Sequence, residues 1–315
     1  MASKRKLDGV TMLIATHAMH ATLPFPFLPA QWTQVTTSTF GTTNVNAVTS
    51  NGDGQFIAVG SSGKVASSND GISWTSGNSQ FDGSNIYAVA YGDGIYVIGG
   101  SSGKMAVSSN GTTWTIVPSS FGASTILAIT YAPSASLWIA AGGSGKLATS
   151  IDGLTWTQRT SSFGTTFINA LHSTSSIIVA VGYDGKLATS VNGTTWTQRS
   201  SSFVTGTIFS VSSTPNGSRF VAVGDSGKIA YSTNGTSWTQ AFPATTFGAS
   251  SVRAVDATQE VFIAAGATGK LGTSYDGNTW SQRTSSFGID NINGIWTGST
   301  FSLAVGNNGK IAYSF

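Results

Sequence analysis

Phe56-Ile57-Ala58-Val59-Gly60-Ser61-Ser62-Gly63-Lys64-Val65-Ala66-Ser67-Ser68-Asn69-Asp70-Gly71-Ile72-Ser73-Trp74 is the stretch that decides the fold. A short apolar run stops at Gly-x-x-Gly, resumes as Lys-Val-Ala, stops again at Asp-Gly and ends on tryptophan. Asp-Gly and Asn-Gly between short apolar runs are strong hairpin signals, and glycine supplies the positive φ that such turns demand. Two successive hairpins are therefore written in nineteen residues.

Working outward, the Gly-x-x-Gly-Lys unit recurs with lysines at 64, 104, 146, 186, 228, 270 and 310, spaced 40, 42, 40, 42, 42 and 40 residues apart. An apolar run precedes each copy. A Ser-x-Asp/Asn-Gly-x-Ser/Thr-Trp box follows the first six, ending at Trp74, Trp114, Trp156, Trp196, Trp238 and Trp280. A Ser/Thr-rich stretch then closes on Phe81, Phe121, Phe163, Phe203, Phe247 or Phe287, and a further strand follows, such as Ile86-Tyr87-Ala88-Val89. Each unit is four strands, a to d from the axis outward, with no period of 3.6 among them. Four-stranded units at this spacing predict an all-β, seven-bladed β-propeller over residues 31–315. Bulky and small residues alternate along strand c, so each blade offers bulk to one neighbour and a shallow seat to the other.

The two ends complete one another. After Lys310 the chain reads Ile311-Ala312-Tyr313-Ser314-Phe315, with no outer strand for the seventh blade. Gln31-Trp32-Thr33-Gln34 matches the outer strands elsewhere, and Trp32 lies 42 residues before Trp74, in phase with the series. The N-terminal strand is expected to complete the last blade.

Composition narrows the function classes. Charged residues are 9% of the chain, yet 9 Trp and 17 Phe supply an ordered core, so disorder is excluded. A net charge of +3 comes from 15 basic and 12 acidic residues without a basic tract, which argues against a nucleic-acid partner. No run of apolar residues is long enough for a membrane span. Residues 1–22 combine Lys4-Arg5-Lys6 with only a short apolar run broken by polar residues, so no cleaved secretory signal is expected. There is no cysteine, and His17 and His20 lack the further ligands a metal would need. No cofactor or metal site is read.

At the boxes the sequence resembles the Asp-box, or bacterial neuraminidase repeat, family, with one residue fewer between the Asp/Asn and the Gly than that pattern has. It also resembles photosystem II assembly-factor-like propellers and repeat propellers of bacteriophage tail proteins. The resemblance spans residues 31–315 and implies fold far more than function. It implies that the boxes carry no chemistry. Their Asp or Asn is expected to fold onto local amides as an Asx-turn, and their Trp to bury against the next blade.

Enzymatic activity is not expected. Arg159, Arg199 and Arg283 sit in outer strands and should not converge on the axis, and Glu260 is the only glutamate and has no acidic neighbour. Two candidate binding features remain. Lys64, Lys104, Lys146, Lys186, Lys228, Lys270 and Lys310 should ring the face that carries the b–c turns, either with stems on blade edges and ammonium groups in water, or as a cationic ring for an acidic ligand. Residues 1–30, with Leu23, Phe25, Phe27 and Leu28 alternating with prolines in part, read as an anchoring arm. Together these suggest a non-enzymatic structural or host-adhesion protein of a tailed-phage virion. Other virion proteins would be its partners through residues 1–30, and a host-surface glycan a further ligand. The alternatives are a lectin-like glycan-binding propeller and an intracellular assembly factor.

Overall fold

A computed structural model describes residues 31–241 and 246–315. The arm assigned to residues 1–30, including Leu23, Phe25, Phe27 and Leu28, lies outside the described residues. The chain forms seven four-stranded antiparallel sheets. Blade 1 is typical: strand a is Val45–Ser50, b is Phe56–Gly60, c is Lys64–Ser68 and d is Thr75–Asn78. Blade 7 takes strands a to c from Ile292–Thr297, Ser302–Gly306 and Ile311–Ser314, and its outer strand from Thr33–Gln34. Thr33 pairs with Tyr313 and Gln34 with Ala312, so the first strand closes the ring as predicted. Among the described residues no helix is long and apolar enough to cross a membrane.

Side-chain alternation builds the interfaces between blades. Ile57, Val59 and Val65 of blade 1 cluster with Tyr96, Ile98, Ala106 and Trp114 of blade 2. Phe56, Ala58, Ala66 and Trp74 turn the other way and cluster with Leu303, Val305 and Ile311 of blade 7. Strand period two sends successive residues to opposite faces, so bulky aliphatics of one blade meet the alanine-lined face of the next. Here the structure corrects one expectation. Each box tryptophan packs against the preceding blade, not the following one. Trp74 shares its face with Ala58 and Ala66, whose small side chains leave the room that an indole requires.

The boxes are self-contained turns. Asp70 Oδ1 accepts the amides of Ile72 and Ser73, both at 2.7 Å, and the Ser68 hydroxyl at 2.9 Å. Gly71 N–H donates to Ser68 Oγ at 2.8 Å, and Trp74 Nε1–H to the Gly71 carbonyl at 3.0 Å. The Ser73 and Ile72 amides favour the charged carboxylate and bring Asp70 down to about 2.

The two glycines of Gly-x-x-Gly answer different demands. Gly63 has φ +68° and follows Ser62 at φ +57°, the paired left-handed residues of a type I′ turn. Gly60 is extended, but a Cβ there would sit 2.1 Å from the Asn44 carbonyl oxygen. The same crowding recurs at Gly142 against Thr125 and at Gly182 against Phe167, each at 2.0 Å.

A clasp joins each blade to the next across the d–a connector. The connector phenylalanine is fully buried at Phe40, Phe81, Phe121, Phe163, Phe203, Phe247 and Phe287. Its carbonyl accepts the lysine Nζ of the following blade, for example Lys64 to Phe40 at 2.7 Å, Lys186 to Phe163 at 2.8 Å and Lys228 to Phe203 at 3.3 Å. Two residues before the phenylalanine, a serine such as Ser79 or Ser161 donates back to the turn glycine of the preceding blade, at 2.6 Å in both. Ser38 makes this bond to Gly309, so the closing junction is held like the others. The ammonium groups therefore do not simply stand in water. All seven lysines are half-buried, and each is fixed to the backbone of a neighbouring connector.

Candidate functional site: an axial cup lined by bulged residues

The strongest candidate grows from an irregularity in strand a. In blade 1, Val45 pairs with Gly60 and the next pair is Ala47 with Val59, which leaves Asn46 as an unpaired bulge. The same skip occurs between Ile86/Ala88, Ile126/Ala128, Ile168/Ala170, Ile208/Ser210, Val252/Ala254 and Ile292/Gly294. A bulge re-aims the extra side chain out of the sheet's alternation. All seven extra residues, Asn46, Tyr87, Leu127, Asn169, Phe209, Arg253 and Asn293, line one cavity of about 520 Å³. A cavity touched by every blade lies on the axis. It opens on the face with the b–c turns, because Tyr183 and Asn307 of those turns also line it.

The cup is uneven around its rim. Asn44, Asn46, Asn291, Asn293 and Asn307 gather at the junction of blades 7 and 1. Asn46 donates through Nδ2 to the Ile86 carbonyl at 2.8 Å, Asn169 to Ile208 at 2.9 Å and Asn293 to Val45 at 3.1 Å. Each bond fixes an amide whose Oδ1 remains an acceptor. Blade 4 instead presents Tyr183, whose ring stacks on Phe167 outside the lining, with centroids 5.3 Å apart and the rings inclined by 22°. Both rings are about 40% exposed, at 40% for Phe167 and 43% for Tyr183. Among the described residues Arg253 is the one charged group in the lining, and it is exposed. No carboxylate or imidazole lines the cup among the described residues. Such a wall can accept hydroxyl hydrogens, stack a flat apolar face and pair with a carboxylate. Its described residues include no general acid–base couple.

Near the other end of strand a, a polar row replaces apolar packing. His172 Nε2 is 2.8 Å from Ser213 Oγ, Ser212 Oγ donates to Asp256 Oδ1 at 3.1 Å, and the Thr297 amide donates to Asp256 Oδ2 at 2.8 Å. Burial pushes the His172 imidazole down to about 4 and the Asp256 carboxyl up to about 6.

The sequence-derived candidates sit elsewhere. The seven lysines share the turn face but none lines the cup, and Arg159, Arg199 and Arg283 remain on outer strands. The bulge ring and Arg253 were missed. Their signal is the position after the first Val or Ile of strand a, where the seven copies disagree although residues on either side repeat.

The family model for the DUF6242 beta propeller domain matches residues 27–121 and, in an overlapping placement, 79–224. Among solved structures the chain is similar to YCF48 bound to D1 peptide, at 19% identity over 92% of this chain and 96% of that one, with a TM-score of 0.72. It is similar to YCF48 from Cyanidioschyzon merolae at 20% identity over 90% and 99%, TM-score 0.72. It is also similar to a catalytically inactive virginiamycin B lyase from Staphylococcus aureus with quinupristin, at 11% identity over 90% and 99%, TM-score 0.79. At these identities the likeness is one of fold. No curated protein matches the sequence.

Proposed function

This chain belongs to the DUF6242 beta propeller domain family, and we propose that it is a non-enzymatic adhesion propeller that takes a saccharide into its axial cup. The observation that carries this reading is the bulge ring: the chain departs from its own repeat at the seven positions that face the cavity. A volume of about 520 Å³ falls in the range of small-molecule sites. Pinned amide acceptors suit sugar hydroxyls, and the Tyr183 ring suits the apolar face of a pyranose. The test is glycan-array binding by the full chain beside Tyr183→Ala. Defined hits that fall at least about tenfold in the variant support the reading. An array without hits, or hits that Tyr183→Ala leaves intact, overturns it.

The likeness to a propeller bound to a peptide favours a second reading, an assembly factor whose cup holds an extended peptide and uses Arg253 for its carboxylate. Peptides with free and amidated C-termini, titrated in parallel, separate the two. Placement in a tailed-phage particle, through contacts of residues 1–30 with other virion proteins, rests on the pattern of that arm. Normal incorporation of a chain starting at Pro29 would contradict it.

A further inference from the structure

A second kind of cavity lies at the outer rim of the turn face, between strand d, the b–c turn and the connector. In blade 3 it measures about 360 Å³, and its lining includes Ser144, Lys146, Arg159 and Thr160. Arg159 stands opposite Leu147 in the c–d register. Its Nε–H donates to Thr149 Oγ1 at 2.9 Å, which fixes the guanidinium and leaves its two terminal nitrogens as a free fork. Lys146 turns to the opposite face, where its Nζ lies 2.7 Å from the Phe121 carbonyl of the connector from blade 2. Among the described residues no acidic side chain lines the cavity and no carboxylate pairs with Arg159. A fixed guanidinium fork with hydroxyls around it matches a planar oxyanion.

The repeat supplies its own control. Blade 7 has the same cavity, about 270 Å³, lined by Gln34, Val35, Thr36 and Ser38. Val35 occupies the place of Arg159, so the same cavity lacks the guanidinium. Blade 6 repeats the pinned guanidinium: Arg283 Nε–H donates to Thr273 Oγ1 at 3.0 Å, with Thr268 where blade 3 has Ser144. Blade 4 pins Arg199 to Thr189 at 2.9 Å, but Asp184 stands in the place of Ser144 and opposes an anion.

We propose that the pinned guanidinium groups of Arg159 and Arg283, on the rims of blades 3 and 6, bind the oxyanion groups of an anionic polysaccharide, carboxylate or sulfate ester. A repeating polymer fits because the sites themselves repeat around one face. A single small anion would gain little from one guanidinium at the solvent-facing rim in salt. The order of site strength is blade 3 and blade 6, then blade 4, with blade 7 inert.

The experiment is binding of the full chain to immobilised heparin, polygalacturonate and neutral dextran at low salt. The variants are Arg159→Gln/Arg283→Gln, Arg219→Gln and Thr149→Val. Arg219 lies away from these cavities, where its guanidinium bonds the Tyr275 and Gln259 carbonyls, so it controls for net charge. Thr149→Val keeps the charge and releases the fork. The double variant should lose about tenfold or more in affinity for the polyanion and have a shallower salt dependence. Thr149→Val should lose part of that, and Arg219→Gln little. Binding to heparin alone identifies sulfate as the source, and binding to both polyanions identifies the carboxylate as sufficient. No polyanion binding, equal binding by the double variant, equal loss in Arg219→Gln, or equal binding of dextran overturns the proposal. Melting curves of each variant show that the comparison is between folded proteins.

Discussion

The clasp between blades and the ring of bulges in the cup are only a few residues apart in sequence, yet they obey opposite rules. In the clasp the same groups recur at each junction: a crowded glycine, a half-buried lysine and a buried phenylalanine whose carbonyl the lysine holds. In the bulge ring the backbone event recurs seven times, but its side chain is Asn, Tyr, Leu, Asn, Phe, Arg and Asn. Uniform chemistry marks what every blade needs in order to stand beside its neighbour. Varied chemistry on a uniform backbone marks positions that stability leaves free. The contrast can be broken or sharpened by substitution.

The largest effect is expected at a crowded glycine. Gly142→Ala would set a Cβ 2.0 Å from the Thr125 carbonyl, which accepts the Gly143 amide at 2.8 Å. Backbone must move, and about 3 kcal/mol or more should be lost, read by denaturant unfolding. A wild-type midpoint would show that the connector is looser than the clasp account holds.

Next is the lysine bond. Lys186→Met keeps most of the stem and removes the donor from the Phe163 carbonyl and Thr166 hydroxyl. A loss of about 1.5–3 kcal/mol is expected, as for other hydrogen bonds to charged groups. A change below about 0.5 kcal/mol would return the lysines to the water-exposed description.

A gain is expected where the clasp is imperfect. Val204 has φ +58° at a place where five of the other connectors carry Gly41, Gly122, Gly164, Gly248 and Gly288. Its clasp, Lys228 to Phe203, is the longest of the seven at 3.3 Å. Val204→Gly should stabilise the chain by about 1 kcal/mol, because a branched residue is strained in the left-handed region. A drop in stability would mean that the exposed valine makes a contact of its own.

The polar row gives a pH test with opposing signs. His172 is depressed to about 4 from 6.5, so its contribution is full above about 6.5 and is lost as pH falls through 4. Asp256 is raised to about 6 from 3.8, so its contribution is full below about 3.8 and is lost as pH rises through 6. The slopes oppose one another between pH 4 and 6, and the melting temperature of the natural chain should be nearly flat there. In Asp256→Asn it should rise with pH across that window, and in His172→Gln it should fall. Parallel profiles for the two variants would contradict the assignment.

Much of this fold was legible because propeller strands are local. Each hairpin announces itself by Asp-Gly or Gly-x-x-Gly, and the phase of Trp32 told where the ring closes. What stayed hidden depended on partners without a letter of their own. The lysine acceptor is a backbone carbonyl 23 to 25 residues upstream, which any residue would supply. The direction of the box tryptophans follows from which face carries Ala58 and Ala66, and that needs the sheet's handedness in space. The bulge is a matter of register. Asn46 and Tyr87 look like ordinary members of an alternating strand until Ala47 and Ala88 are seen to pair one step early. Arg253 belongs to no repeated motif, and that failure to repeat is what distinguishes the cup.

The most direct measurement makes the ring uniform. Tyr87→Asn, Leu127→Asn, Phe209→Asn and Arg253→Asn, introduced together, would place asparagine at all seven bulges. The account predicts a melting temperature within about 3 °C of the natural chain, since these side chains face an open cup and a change of about 1 kcal/mol shifts a protein of this size by no more than that. It also predicts loss of the glycan-array pattern that the natural chain gives. A variant that melts far lower, or one that keeps the same glycan pattern, would contradict the assignment of the axial ring as the binding surface.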